Sequence, residues 1–183
     1  MIGIDQVNHL IMIKKRLPMM ENRREQLLVD AARCTGCKRC MLACSMKHHN
    51  VINPSLSRVR IMRYEDQALD VPILCMACDD APCIKVCPMN ARIRLSNGTV
   101  VTDTSVCIGC RACVYICPVG SPSVNPFSGQ TMTCDMCMDD AGEPWCVTAC
   151  KEEGALKLVK GKSLTTDKLR ARAGRSRAIF PSR

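Results

Sequence analysis

Short stretches that alternate apolar and polar residues run along this chain between loops rich in cysteine. RVRIMRY, residues 58–64, alternates charged and apolar residues in the manner of a β-strand. The stretches ARIRL and TVVTD, residues 91–95 and 99–103, flank the sequence Ser96-Asn97-Gly98. Asn-Gly between two β-rich stretches is a strong local signal for a hairpin. The pattern therefore predicts a strand at 58–64 and a hairpin that turns at Asn97.

Two more predicted strands lie far apart in the sequence. LLVDAARC, residues 27–34, leads into the first cysteines, and ALKLVKG, residues 155–161, follows the last ones. Both are short and rich in Leu or Val, as strands are. Because they flank the whole cysteine-rich region, we expect them to pair with each other and to close that region.

Cysteine is the residue type that most limits the range of possible functions. The chain has 183 residues and sixteen cysteines, but only 3% aromatic residues. Aromatic side chains usually supply much of a core's buried area, so this core is small for the chain length. Domains short of a core are often stapled by disulfides or by metals. The cysteines fall into four groups of four: Cys34, Cys37, Cys40, Cys44; Cys75, Cys78, Cys83, Cys87; Cys107, Cys110, Cys113, Cys117; and Cys134, Cys137, Cys146, Cys150.

Metal binding fits these groups better than disulfide bonding. Disulfides require an oxidising compartment, and residues 1–27 lack the apolar core and cleavage site of a secretory signal. Arg23-Arg24 is followed by EQLLVDAARC where a twin-arginine signal would have an apolar stretch. No run of about 18 apolar residues occurs. We therefore predict a cytoplasmic chain without a direct membrane span, in which clustered cysteines bind metal.

The cysteine spacing favours iron–sulfur clusters over zinc. Groups one and three, CTGCKRCMLAC and CIGCRACVYIC, share the spacing C-x2-C-x2-C-x3-C, which is typical of bacterial ferredoxins. CMACDDAPCIKVC is the same run with two extra residues, and CDMCMDDAGEPWCVTAC has a longer insertion. Structural zinc commonly takes two well-separated C-x2-C pairs. We predict [4Fe–4S] clusters, with zinc as the alternative where the expanded last group contributes.

The ferredoxin rule also predicts which cysteines share a cluster. In that run the fourth cysteine binds the other cluster of a pair, and we expect a helix to begin at it. Because the second and third groups lie between the first and fourth, the rule gives four sites. Site one is Cys34, Cys37, Cys40 and Cys150; site two is Cys44, Cys134, Cys137 and Cys146, the set that could hold zinc; site three is Cys75, Cys78, Cys83 and Cys117; site four is Cys87, Cys107, Cys110 and Cys113.

The nesting predicts an α+β fold of two bacterial-ferredoxin-like modules with short strands, short helices and extended termini. The double domain covers residues 28–161. Its inner module is 71–120, and its outer module combines 28–50 with 130–161. The predicted extensions are an N-terminal segment that could form a docking helix, 1–27, and a basic tail that could lie on an acidic partner, 162–183.

Residues beside the cysteines are expected to shape the sites. Gly36 and Gly109 lie inside two cluster loops, where the absence of a Cβ allows close approach of the backbone. His48 and His49 could hydrogen bond to a nearby cluster, although no histidine has ligand spacing. Six aliphatic residues are expected to keep water out of the sites: Ile84, Val86, Ile108, Val114, Ile116 and Val147.

The four groups and the stretch ACSMKHHN resemble the four-cluster ferredoxin-like electron-transfer subunits of the dimethyl sulfoxide reductase type, over about residues 26–161. The resemblance implies four [4Fe–4S] clusters in a line, which carry single electrons to or from a partner's active site in a hetero-oligomer. The chain departs from the pattern in lacking a proline after Cys44 and after Cys150. That departure implies less defined helices in the outer module.

The short spacing between Cys137 and Cys146 is similar to that of compact cytoplasmic members of this family. The resemblance therefore implies an anaerobic tungsten or molybdenum pterin enzyme as the catalytic partner, of the aldehyde oxidoreductase or benzoyl-CoA reductase type. A flavin or ferredoxin electron donor could also take part. Hydrogenase, formate dehydrogenase and carbon monoxide dehydrogenase complexes are the alternatives. Without a nucleotide-binding glycine motif or a nucleophile–base pair, the chain is expected to have no catalytic site of its own.

The net charge of +9 does not indicate a nucleic-acid partner. A [4Fe–4S] core with four thiolates carries about −2, so four of them would offset most of the basic excess. The scarcity of aromatic residues also counts against base stacking. A zinc-stapled nucleic-acid-binding protein is therefore only a remote alternative.

Overall fold

The computed structural model describes residues 25–150 and 154–160. The predictions for the tail 162–183 and for all but the end of the extension 1–27 lie outside these residues. Within the described ranges the chain is a small α+β fold of short elements. The strands are β1 Glu25–Val29, β2 Arg60–Tyr64, β3 Leu69–Ile73, β4 Arg92–Arg94, β5 Val100–Thr102, β6 Ser123–Val124, β7 Thr131–Met132 and β8 Leu156–Lys160; the α-helices are α1 Arg39–His49, α2 Pro82–Lys85, α3 Ala112–Ile116 and α4 Trp145–Ala149.

The strands form antiparallel pairs, and three sequence predictions are confirmed. Strand β1 pairs with β8, with Val29 opposite Leu156, so the two ends of the cysteine-rich region meet. Strands β4 and β5 form the predicted hairpin, in which the Asn97 side chain accepts a hydrogen bond from the Thr99 N–H at 3.0 Å. Strand β2 lies where predicted, but its partner β3 was not predicted. The last pair, β6 with β7, makes a short second hairpin.

The α-helices begin one residue before the third cysteine of each group, not at the fourth as predicted. Cys40, Cys83, Cys113 and Cys146 are each the second residue of a helix. The prediction was wrong because the x3 spacing between the third and fourth cysteines is one helical turn. Only α1 contains its fourth cysteine, Cys44; Cys117 and Cys150 immediately follow α3 and α4, and Cys87 lies two residues beyond α2.

The longest helix is α1, so the expectation of a less defined outer helix was wrong for the helix that carries Cys44. It runs through Cys44 to His49 and ends at Asn50, whose N–H donates to the Met46 carbonyl at 2.9 Å. A proline after Cys44 would have removed a helical N–H and clashed with the preceding turn. Its absence lets the helix continue, so the missing proline lengthens the helix instead of loosening it.

The core is built as much from cysteine as from aliphatic side chains. The main cluster of buried residues is Leu27, Cys40, Cys44, Val59, Leu74, Cys146, Val147, Cys150, Ala155 and Leu156. Val147 is buried as predicted, but Val86, Ile108 and Ile116 are exposed. That prediction was wrong because Val86 and Ile116 lie at the ends of the one-turn helices α2 and α3, and Ile108 lies on the loop before α3. No helix among the described residues has the length and apolar character needed to span a bilayer.

Two sets of packed elements are present. Helix α1 packs against α4, which also contacts β8, and β8 pairs with β1. Helix α2 packs against α3 and against β4, which pairs with β5. Residues from the two ends of the chain therefore build one set, and residues from its middle build the other.

Candidate metal centres

Three cavities are each lined by four cysteines. The first is lined by Cys34, Cys37, Cys40 and Cys150, the second by Cys44, Cys134, Cys137 and Cys146, and the third by Cys75, Cys78, Cys83 and Cys117. These are the cysteine sets predicted for sites one, two and three. The three cavities are partly open to solvent and similar in extent, so they could admit occupants of one size. All sixteen thiols are free of disulfide bonds.

The fourth predicted set is more open. The Thr131 hydroxyl accepts from the Cys113 thiol at 3.5 Å and from the Cys107 thiol at 3.9 Å, so these two sulfurs lie together. Cys87 follows helix α2, which packs against the helix that carries Cys113. Cys110 is exposed on the intervening loop.

Backbone N–H groups point at the fourth cysteine of three groups. The Ala91 N–H donates to Cys87 Sγ at 3.2 Å, and the Ser121 N–H donates to Cys117 Sγ at 3.3 Å. In both cases the donor follows its cysteine by four residues, beyond a Cys-Pro step. Cys44 instead accepts from the distant Arg58 N–H at 3.3 Å. Sequence reasoning missed these donors, although the two local ones share the pattern C-P-x-x-A/S.

Burial keeps several of these thiols protonated in the absence of a bound cation. Burial is the main cause that raises the pKa of Cys40 to about 12, and the neighbouring charges of Cys150, Cys34 and Cys37 contribute. Burial likewise raises the pKa of Cys75 and of Cys137 to about 11. A coordinated metal would reverse this, because metal ligation deprotonates thiols.

The cysteine sites adjoin one another in order. Burial raises the pKa of Cys146 in site two, and Cys40 in site one is among the thiols whose charge raises it further. Burial raises the pKa of Cys134 in site two, and the charge of Cys75 in site three contributes. Helix α2 then joins site three to site four, because it carries Cys83 and leads to Cys87. The first cavity therefore lies near the second, the second lies near the third, and Cys87 lies near the third.

Site two has a polar side that the sequence did not predict. Asp135 lies between two of its cysteines and pairs with the Arg58 guanidinium at 2.5 Å and with His48 Nε2 at 3.4 Å. Burial opposes ionisation of Asp135, but the charge of Arg58 and the hydrogen bond from the Cys137 N–H hold the pKa of Asp135 below the usual value. Burial lowers the pKa of His48 to about 4, so His48 is neutral at pH 7. Although His48 lacks ligand spacing in the sequence, its ring lies within 4.8 Å of donor atoms of Asp135 and Cys137.

The two loop glycines are held where a side chain would clash. Both have left-handed backbone, with φ +66° at Gly36 and φ +69° at Gly109. A Cβ on Gly36 would lie 2.3 Å from the Asp70 carboxylate, which is a movable side chain. A Cβ on Gly109 would lie 2.7 Å from the carbonyl oxygen of Gly129, which belongs to the backbone. The predicted close approach of backbone is therefore strongest at Gly109.

Replacing Gly109 with Ala is expected to destabilise site four more than replacing Gly129. Gly129 has φ +72° and no atom within 4 Å of an added Cβ, so Gly129→Ala introduces only left-handed strain, about 1–2 kcal/mol. Gly109→Ala introduces the same strain together with the backbone clash. The denaturant midpoint for loss of visible absorbance, measured anaerobically, should fall further for Gly109→Ala. Equal midpoints would show that the backbone relaxes and that the contact is unimportant.

Comparison with known families gives consistent matches. Residues 67–160 match the 4Fe-4S dicluster domain, and residues 31–47 match a 4Fe-4S binding domain. The chain is 37% identical over 148 residues to the polyferredoxin-like subunit of aliphatic sulfonate oxidoreductase from Pyrococcus furiosus, covering 78% of this chain and 83% of that one.

Two bacterial relatives and one solved structure are also similar. One subunit of the anaerobic dimethyl sulfoxide reductase from Escherichia coli is 40% identical over 139 residues, 67% of each sequence. The thiosulfate reductase electron transfer subunit from Salmonella typhi is 38% identical over 144 residues, 72% of this chain and 73% of that one. A polypeptide of the active-site complex BamBC of benzoyl coenzyme A reductase superposes with a TM-score of 0.49 at 26% identity, covering 85% of this chain and 91% of that one.

Proposed function

This protein belongs to the 4Fe-4S dicluster family of electron-transfer iron–sulfur subunits, and from this premise we propose that it conducts single electrons along four sites to or from a catalytic partner. Members of this family bind more than one [4Fe–4S] cluster. The observation that carries the proposal is the convergence of cysteines from distant groups around shared cavities. Cys150, for example, lines the cavity of Cys34, 116 positions earlier in the sequence.

We assign the ligands as follows. Site one would be held by Cys34, Cys37, Cys40 and Cys150; site two by Cys44, Cys134, Cys137 and Cys146; site three by Cys75, Cys78, Cys83 and Cys117; site four by Cys87, Cys107, Cys110 and Cys113. Four sulfur donors per set fit a [4Fe–4S] cluster, whose ligands are cysteine thiolates. When bound, each cluster supplies one-electron redox chemistry. The count of four is part of the proposal.

The protein's own groups would hold the bound charge and exclude water. Ile61 and Leu156 line the first cavity, Val59 and Leu74 the second, and Val100 the third. Backbone N–H groups and the Thr131 hydroxyl are poised at the ligand sulfurs. Such hydrogen bonds, with burial, are the means by which proteins set cluster potentials.

Sites one and four would be the ends of the relay. Among the sixteen cysteines, only Cys37 and Cys110 are exposed, and they belong to these two sites. Sites two and three have no exposed cysteine. Electrons would therefore enter and leave the chain near Cys37 and Cys110, and pass between them through the two enclosed sites.

We also propose the two-module organisation of the double domain, residues 28–161. The inner module would be 71–120, and the outer module would combine 28–50 with 130–161. The pairing of β1 with β8 and the packing of α1 on α4 support the outer module, and the packing of α2 on α3 supports the inner one. Residues 1–27 and 162–183 would be extensions that contact the partner.

The proposed partner is the catalytic subunit of a molybdenum or tungsten pterin oxidoreductase in the cytoplasm. The similar subunits named above serve a sulfonate oxidoreductase, a sulfoxide reductase and a thiosulfate reductase. An aldehyde oxidoreductase or a benzoyl-CoA reductase is our preferred partner type. Hydrogenase, formate dehydrogenase and carbon monoxide dehydrogenase complexes are the alternatives. A reducing compartment would keep the sixteen cysteines available as metal ligands.

The experiment is to purify the tagged chain anaerobically from its own cells with whatever subunit binds it. Tungsten or molybdenum in the bound subunit is expected. Candidate substrates (an aldehyde, an aromatic acyl-CoA, a sulfonate, a sulfoxide and thiosulfate) are then added to the complex while the visible absorbance of its clusters is recorded. Bleaching by an electron-donating substrate, or reoxidation of the reduced complex by an accepting one, supports the proposal. A bound subunit without either metal, or clusters that respond to no substrate, argues for a different partner.

A further inference from the structure

A buried arginine stands beside the third cysteine cavity with no acidic partner. Arg92 is 2% exposed and is among the largest fully buried side chains of the described residues. It begins strand β4, opposite Thr102 of β5, and its side chain lines the cavity of Cys75, Cys78 and Cys83. An arginine at this position keeps its charge, because the guanidinium does not lose its proton in proteins.

The contacts of the guanidinium are to neutral groups. Arg92 Nη1 donates to the hydroxyls of Thr102, at 2.6 Å, and of Thr133. Nη2 donates to Cys83 Sγ at 3.6 Å, and Nε is buried without a partner. None of the ion pairs found between described residues includes Arg92. A buried charge without a counter-charge is strongly unfavourable, so an anion bound beside Arg92 would stabilise this site.

Cations near the other sites are arranged differently. At site two, Arg58 is neutralised by Asp135. At site one, Lys38 and Arg39 line the cavity but are exposed to water, which screens their charge. Arg94, on the same strand as Arg92, donates to the carbonyls of Cys78 and Asp79 and is only partly buried. Arg92 therefore combines deep burial with the absence of a described acidic partner.

We propose that Arg92 is the built-in counter-cation of a cluster at site three and raises its reduction potential. This rests on the proposed occupancy of that site. A [4Fe–4S] core with four thiolates carries about −2, and each added electron makes it more negative. A fixed positive charge in a low-dielectric site stabilises the more negative state.

The test is an anaerobic redox titration of the full chain, with its bound partner, followed by EPR. Site three is identified as the signal lost in Cys83→Ala. Arg92→Met and Arg92→Gln should each shift the midpoint potential of that signal to a lower value. Arg92→Lys keeps the positive charge, so its midpoint potential should stay close to that of the wild type. Arg63→Met removes the same charge from a side chain that is 59% exposed, and should leave site three unchanged.

Iron content separates the remaining outcomes. If Arg92→Met and Arg92→Gln lose about four irons per chain while Arg92→Lys keeps them, the charge is needed for loading, and the proposal stands. If all three variants keep their iron and their midpoints, or if Arg92→Lys fails like the other two, the charge has no such role. A wild-type chain that holds no iron at site three would overturn the occupancy as well. If only the proposed role of Arg92 is wrong, the proposed electron relay still stands.

Discussion

Anaerobic removal of iron from this chain is expected to unfold it. Four of the ten residues in the main buried cluster are cysteines assigned to sites one and two. The described aromatic residues do not fill the gap, since Tyr115, Phe127 and Trp145 are exposed and Tyr64 is only half-buried. Without metal, the cysteines that line the three cavities would no longer join distant segments of the chain, and only a few aliphatic side chains would hold those segments together. Small domains short of a hydrophobic core depend on such staples.

The size of the effect follows from the small stability of ordinary domains, about 5–15 kcal/mol. Structural metal sites contribute about 10–16 kcal/mol each in small zinc peptides, so losing several sites exceeds any such margin. Hydrogen exchange of the β1 and β8 amides, residues 25–29 and 156–160, should change from protected to unprotected after treatment with a ferrous chelator. A buffer-treated sample kept equally free of oxygen is the control. Amides that stay protected after complete iron removal would show that the fold does not depend on clusters.

Two double variants that share Cys40 should lose different numbers of clusters. Cys40 and Cys44 are neighbours on helix α1 and belong to one sequence group, yet we assign them to sites one and two. Cys40 and Cys150 are far apart in sequence, yet both line the first cavity. Cys40→Ala with Cys150→Ala should therefore damage one cluster, whereas Cys40→Ala with Cys44→Ala should damage two.

The measurement is the count of distinct redox-active EPR signals in each variant, with each single variant as a control. All three cysteines are buried, so general destabilisation should be similar in the two double variants. We expect Cys40→Ala/Cys150→Ala to lose one EPR signal and Cys40→Ala/Cys44→Ala to lose two. The opposite result, with two signals lost in Cys40→Ala/Cys150→Ala and one in Cys40→Ala/Cys44→Ala, would mean that each sequence group binds its own cluster. The crossing of fourth cysteines between groups would then be wrong.

The sequence predicted those features that depend on local spacing or on a turn. The cysteine groups and the hairpin at Asn97 are of this kind. The pairing of strands predicted within 27–34 and 155–161 followed instead from their positions on either side of the cysteine-rich region. The start of the helices was missed because x3 spacing was assigned to the end of a loop, although it equals one helical turn. The exposure of Val86 and Ile108 was missed because an apolar neighbour of a ligand need not face it.

The polar surroundings of the sites could not be predicted from the sequence. Arg58 meets Asp135 across 77 positions of the chain, and Arg92 meets Thr133 across 41. Such contacts depend on how the packed elements meet, which no local pattern encodes. Arginine is ordinarily found at the surface, so the sequence gives no reason to expect that Arg92 is buried. The part of the site that would tune potentials is therefore visible only in the structure.

The most direct test of the four-site relay is the content of iron, acid-labile sulfide, zinc, tungsten and molybdenum per chain after anaerobic purification. If all four sites hold [4Fe–4S] clusters, each chain should contain about sixteen irons and about sixteen sulfides, with any tungsten or molybdenum confined to the partner. About twelve irons and one zinc would make site two, with its nearby His48 and Asp135, a structural metal site and would break the relay. Zinc at all four sites, without sulfide, would show that the chain carries no clusters and would contradict the proposed electron relay.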